Sequence, residues 1–161
     1  KIYDFLDEQE LKIDTPISAS DLMQPLRVRI PPDTHLRRVS RIMQEHHMEA
    51  HAVLDDEDRV LGEISCNILF SREIPQYIKE LASVPAMRDF NPFQEYFSKD
   101  AKLTARDVMS TDVPVITEDG TLLEIVFLLS VKMYPKLYVT RGDTLVGTID
   151  RITVLDRLLN L

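Results

Sequence analysis

Ile17-Ser-Ala-Ser-Asp21-Leu-Met23 returns as Leu103-Thr-Ala-Arg-Asp107-Val-Met109, 86 residues further on. An internal repeat of this kind decides architecture before local propensity does, because each copy is one supersecondary unit. The same offset pairs Ile30 with Ile116, Asp33 with Asp119, Leu36 with Leu122, Val39 with Ile125 and Val53 with Val139. After one deleted position, Gly62-Glu-Ile64 matches Gly147-Thr-Ile149. The apolar set Leu36, Val39, Ile42 and Met43 shifts to Leu122, Ile125, Leu128 and Leu129, so a helix-period pattern is duplicated along with the motif.

Within each copy the period changes along the chain. Arg27-Val-Arg-Ile30 and Val113-Pro-Val-Ile116 read as short β-rich stretches. Asp33-Thr34 and Glu118-Asp119-Gly120-Thr121 offer side-chain oxygens as N-caps for helices near 35–47 and 121–133. Strands follow at Ala52-Val-Leu54 and Leu137-Tyr-Val-Thr140, then polar turns at Asp55 to Arg59 and Arg141 to Thr144. Return strands open at Val60-Leu61 and Leu145-Val146, and helices 66–72 and 151–160 close the copies. The expected organisation is a lead-in amphipathic helix (1–14), repeat 1 (15–72), a helical connector (73–100) and repeat 2 (101–161). Five of the eleven aromatic residues fall in the connector, a density unlike a disordered linker. It is expected to fold onto the repeats or to form a partner-docking patch.

Composition narrows the function classes. At 161 residues and 44% apolar content the chain can bury an ordinary core. A net charge of −8 argues against a duplex nucleic-acid partner, which demands clustered cations on a basic background. Arg27, Arg29, Arg37, Arg38 and Arg41 form one local basic stretch, read either as a solvated helix face or as an anion site. No apolar run approaches the roughly 20 residues that span a bilayer. The first residue is Lys1 rather than Met, which suggests a piece of a longer protein. The lone Cys66 rules out an internal disulfide and fits a reducing, cytoplasmic compartment, with a small buried hydrophobe near a helix start as its expected role.

The order Asp-hydrophobic-Met, strand, capped helix, strand, turn, strand ending in Gly-x-Ile, then helix, all in duplicate, resembles the cystathionine β-synthase (CBS) domain pair, or Bateman module. The similarity covers roughly 16–70 and 102–161, and Leu103 to Met109 is its best-matched piece. The resemblance implies an α/β fold of two pseudo-symmetric β-α-β-β-α repeats packed through their sheets. It further implies a regulatory role without catalysis, and clefts that take adenine-containing ligands such as AMP, ADP, ATP or S-adenosylmethionine.

The family's motif after the last strand runs Gly, two hydrophobics, Thr or Ser, two variable residues, then an Asp that accepts the ribose hydroxyls. In the first copy Ser65 is retained, but Ile68 stands in the Asp position and cannot accept those bonds. In the second copy Asp150 takes the Thr or Ser position and Thr153 the Asp position, where a hydroxyl binds ribose without charge assistance. The adenine wall falls at Val113, Val115, Leu137 and Tyr138 in the second copy, and at Arg27, Arg29, His51 and Ala52 in the first. The more apolar second cleft is the favoured one, with Arg151 as a phosphate cation and Tyr138 either stacking on a base or filling the slot. Loss of both ribose carboxylates supports the alternative, a ligand-free dimerisation and docking module.

The remaining constellations have plainer readings. His47 and His51 are four apart, yet the repeat alignment puts His51 on a strand and leaves His46 and His47 in a last helical turn, where the dipole favours cations. No metal is expected there. Asp55-Asp56-Glu57-Asp58 lacks the alternating ligands and Gly of a calcium loop and reads as a solvated hairpin turn. No nucleophile-and-base set is indicated, so no enzyme is expected. The helix at 121–133 is apolar all round, with Leu122, Leu123, Ile125, Val126, Phe127 and Val131, so the connector or a second chain must cover it. That excess, with the family's habit of pairing through such helices, predicts a homodimer, while the effector is left open.

Overall fold

A computed structural model describes residues 16–73 and 102–160. The lead-in helix and most of the connector lie outside the described residues. In chain order the elements are α1 (Ala19–Leu22), β1 (Gln24–Pro25), α2 (Leu36–Glu45), β2 (Ala50–Leu54), β3 (Val60–Ser65), α3 (Cys66–Glu73), α4 (Ala105–Val108), β4 (Val115–Thr117), α5 (Leu122–Ser130), β5 (Lys136–Arg141), β6 (Thr144–Asp150) and α6 (Arg151–Leu159). The fold class is α/β, as the repeat pattern implies.

The chain forms two compact units, and neither is one sequence repeat. Of the described residues, the β5–β6 unit holds 16–26, 114–142 and 146–160; the β2–β3 unit holds 27–73, 102–113 and 143–145. Each unit therefore joins the body of one repeat to the Asp-hydrophobic-Met segment of the other, the short lead-in of that repeat. Backbone bonds make the exchange at matching positions. In the β5–β6 unit the Ala19 and Ser20 N–H groups donate to the Gly120 and Glu118 carbonyls. In the β2–β3 unit the Ala105 and Arg106 N–H groups donate to the Thr34 and Pro32 carbonyls.

The one-turn helices α1 and α4 are too short to persist alone. Reciprocal capping boxes hold them, Ser18 with Asp21 and Thr104 with Asp107. Their backbone N–H groups bind the Asp21 and Asp107 carboxylates and hold both below the usual carboxylate range.

The methionine of each box explains the glycine of the other motif. A Cβ on Gly62 would lie 2.6 Å from Met109 Sδ and 2.8 Å from the Ser110 carbonyl. A Cβ on Gly147 would lie 2.8 Å from both Met23 Sδ and the Gln24 carbonyl. The two duplicated signatures are thus the two sides of one contact, made once in each unit.

The cores repeat position for position. Ile30, Val39, Met43, Val53, Ile64, Ala105 and Val108 are buried together in the β2–β3 unit. Their offsets Ile116, Ile125, Leu129, Val139, Ile149, Ala19 and Leu22 are buried together in the β5–β6 unit. One sheet runs β1-β6-β5-β4, with β4 parallel to β5; the other pairs β2 with β3 antiparallel.

Several local expectations are corrected. Arg27 to Ile30 forms no strand, only an isolated parallel bridge from Ile30 to Val53. Pro31 and Pro32 follow and donate no N–H to extend the ladder. The N-cap of α2 is His35, without a side-chain capping bond, rather than Asp33 or Thr34, whereas Thr121 caps α5 as expected. Both helices end earlier than expected, because His47 and Met133 take left-handed φ of 52° and 60° at equivalent positions. His46 is the C-cap of α2 and His47 lies beyond it. Cys66 opens α3 as expected, but it is half-buried.

Candidate ligand site

In the β5–β6 unit, Val115 pairs in parallel register with Tyr138. Leu137 and Tyr138 are fully buried and serve the interior, while Val115 is 49% exposed and Arg151 is exposed. Tyr138 is wholly buried and presents no open face in this conformation. Val113 belongs to the β2–β3 unit and is half-buried.

Asp150 and Thr153 are held together at the start of α6. Asp150 is the N-cap, and its carboxylate accepts the Thr153 N–H at 2.8 Å. The Thr153 hydroxyl accepts from the Gln24 side-chain amide at 2.9 Å, which leaves its proton for donation. Gln24 escaped the sequence reading, since 129 residues separate the partners and only the exchange of lead-ins joins them.

In the β2–β3 unit the equivalent parts are spent differently. Ser65 Oγ accepts the Ile68 N–H at 3.1 Å and so caps α3. His51 and Ala52 are buried, and His51 Nδ1 donates to the Ala52 carbonyl at 2.8 Å, since a carbonyl can only accept. Arg27 is exposed. Arg29 grips Asp58 through two bonds of 2.7 and 2.9 Å, which hold the Asp58 carboxyl below its usual range. Asp55 is likewise lowered by the Arg59 backbone N–H, so both end carboxylates of the acidic turn are engaged. The β5–β6 unit has a two-bond clamp of its own at positions that do not correspond, Arg141 on Glu118 at 2.8 and 2.7 Å.

Ile68 lines a shallow cavity of about 430 Å³ with Asn67, Ser71, Arg72 and Val108. The last four were not anticipated; Asn67, Ser71 and Arg72 share a helix face with Ile68, but Val108 arrives through the exchange. Among the described residues no three His, Cys, Asp or Glu side chains converge as metal ligands. No described helix is long and apolar enough to cross a membrane.

The CBS-domain model matches residues 19–70 and 105–160. The chain belongs to the CBS-domain family. Its folds agree with solved members. A CBS domain-containing protein of unknown function from Bacillus anthracis is 16% identical, with a TM-score of 0.72 over 95% of this chain and 98% of its own. The CBS domain of a membrane protein from Sphaerobacter thermophilus is 22% identical, with a TM-score of 0.67 over 97% of each chain. CBSX2, a CBS-pair protein of Arabidopsis thaliana, has been solved in complex with AMP; that structure is 21% identical, with a TM-score of 0.67 over 89% of this chain and 96% of its own. No match is found among curated proteins.

The duplicated match makes this protein a CBS pair, a regulatory and binding module rather than a catalytic fold.

Proposed function

We propose that this CBS pair is a non-catalytic sensor that binds an adenine-containing ligand (AMP, ADP, ATP or S-adenosylmethionine) in its second-copy cleft and passes the resulting population shift to a linked or associated effector. The observation that carries the reading is the α6 entrance, where Thr153 keeps a hydroxyl proton to donate at the ribose position of the family motif. Exposed Val115 supplies an apolar wall, and an AMP complex of a CBS pair supports the ligand class.

Asp150 adds a constraint on phosphates. Its carboxylate occupies the positive end of α6, where a phosphate would otherwise sit, and offsets the attraction of Arg151. Affinity should therefore not climb from AMP to ATP, and cationic S-adenosylmethionine should bind at least as well as AMP. Calorimetry with the four ligands tests this. Thr153→Asp should strengthen adenine binding by restoring charge assistance, and Ile68→Asp should do so only if the first-copy cleft is used. If neither wild type nor Thr153→Asp binds any of the four at millimolar concentration, the sensor reading fails.

The second reading is a docking module that forms a homodimer. Leu123, Phe127, Val131 and Met133 on and after α5 are exposed, as are Ile152, Leu155 and Leu159 on α6. The α6 residues follow a helical stripe that was legible but overlooked. Burying such side chains contributes roughly 1.5–3 kcal/mol each at full coverage. Sedimentation at tens of micromolar should show a dimer that Phe127→Glu dissociates; a monomer whose mass Phe127→Glu leaves unchanged would remove this reading. The lone Cys66 supports a reducing, cytoplasmic setting.

A further inference from the structure

The N-terminal end of α2 carries cations where a helix disfavours them. His35 is the N-cap, so Arg37 and Arg38 occupy the second and third helical positions, with Arg41 one turn on. The macrodipole places partial positive charge there, and the first turn holds no acid. All three arginines are exposed, and none of their guanidinium groups makes a hydrogen bond or ion pair with a described residue. Spacings of three and four residues put them on one face.

The exchanged lead-in adds two more cations to the same entrance. The Arg106 N–H donates to the Pro32 carbonyl, the Leu36 N–H to the Leu103 carbonyl, and the Lys102 carbonyl meets His35 Nδ1. Both Lys102 and Arg106 are exposed. The acids close in sequence or contact are Asp33, Asp107 and, one turn beyond Arg41 on α2, Glu45; Asp107 is engaged by Thr104.

The β5–β6 unit is an internal control. Its equivalent positions carry Leu123, Glu124, Phe127, Pro16 and Ser20, with no cation among them. Glu124 stands where the fold wants an acid and closes a capping box on Thr121. The basic cluster is therefore not required by the architecture.

We propose that the α2 entrance, formed by Arg37, Arg38 and Arg41 with Lys102 and Arg106, is a docking surface for an acidic protein segment. Three arguments select that partner. Arginine forks bind carboxylates bidentately, which suits a chain presenting several Asp or Glu. The first-turn N–H of Leu36 is already spent on Leu103, and those of Arg38 and Val39 on His35, so this is not a backbone cradle for a lone phosphate. The chain's net charge of −8 opposes nucleic acid and anionic membranes at long range, whereas a short peptide samples only the local field. The inference is independent of nucleotide binding, and its test contains no nucleotide.

Fluorescence anisotropy of a labelled decaglutamate peptide, titrated with the full chain near physiological ionic strength, where charges are screened beyond about 8 Å, should show binding that weakens as salt rises further. The triple variant Arg37→Glu, Arg38→Glu, Arg41→Glu should lose at least about tenfold in affinity, the loss expected when a few charge-assisted contacts are removed. The pair Lys132→Glu, Arg157→Glu, exposed cations on the other unit, should lose less than twofold. Arg38→Glu alone should raise the melting temperature by about 1–3 °C, because it places an acid at the third helical position. That rise separates lost docking from lost fold. The proposal is overturned if the peptide does not bind, if the triple variant binds as well as wild type, if the control pair loses as much, or if tripolyphosphate or phosphatidylserine vesicles bind the patch more tightly than the peptide.

Discussion

The β5–β6 and β2–β3 units share the pattern of a core, a capped lead-in and a glycine–methionine contact, yet their equivalent exposed faces differ in character. Helix α5 exposes Leu123 and Phe127 where α2 exposes Arg37 and Arg41. Interior positions are bound by packing, which tolerates only similar volumes. Outward positions are under no such constraint, and here they have diverged to apolar on one unit and basic on the other. The clamps show the same freedom, since Arg29–Asp58 and Arg141–Glu118 lie at positions that the offset does not relate. Interior parity breaks most in volume at Tyr138, which stands where the other unit has Ala52, both fully buried.

That exception gives the largest expected effect. Tyr138→Ala should destabilise by about 3–5 kcal/mol through cavity and transfer terms together, measured by equilibrium urea denaturation. A cost below about 1 kcal/mol would mean that the two units use this position alike after all. The emptied slot should also change adenine affinity if the second-copy cleft is the binding site.

Next come the glycines. Gly62→Ala and Gly147→Ala should each cost about 1–3 kcal/mol, because the new Cβ meets a backbone carbonyl that cannot yield as a side chain can. The two costs should be similar. If only one variant is destabilised, the contact is not the shared device inferred here.

A smaller effect, of opposite sign, is expected at the helix ends. His47→Gly and Met133→Gly should each stabilise by up to about 1 kcal/mol, since both residues hold left-handed φ that glycine adopts without steric cost. The smallest effect concerns pH. Asp21, Asp107, Asp58 and Glu118 are all lowered by their hydrogen-bond donors. A carboxylate depressed on folding adds stability above its unfolded value and loses it as pH falls through the folded one. Thermal midpoints should thus be flat near neutrality and decline below about pH 4. Asp21→Asn and Asp107→Asn should each shorten that decline by a similar amount.

Much of the fold was legible because apolar periodicity and its repetition report burial directly. Val39 and Ile125, or Val53 and Val139, are found in the two cores as their offset requires. The helix ends were read too far out because neither left-handed position carries the Gly that would mark it. Of the candidate site residues, Asp150 and Thr153 come together as the N-cap and third residue of one helix start must. Their third partner, Gln24, was illegible.

The sequence by itself determined that one unit is built twice, which positions are interior, and that the family is the CBS domain. Short-range patterns suffice for this, because periodicity and duplication are properties of the chain alone. Only the tertiary structure decided that the lead-ins change places. That exchange sets Met23 on Gly147, Gln24 on Thr153, and Lys102 and Arg106 beside the arginines of α2. Such pairings depend on which backbone carbonyls a four-residue helix finds for its N–H groups, and nothing local distinguishes the carbonyls of its own copy from those of the other.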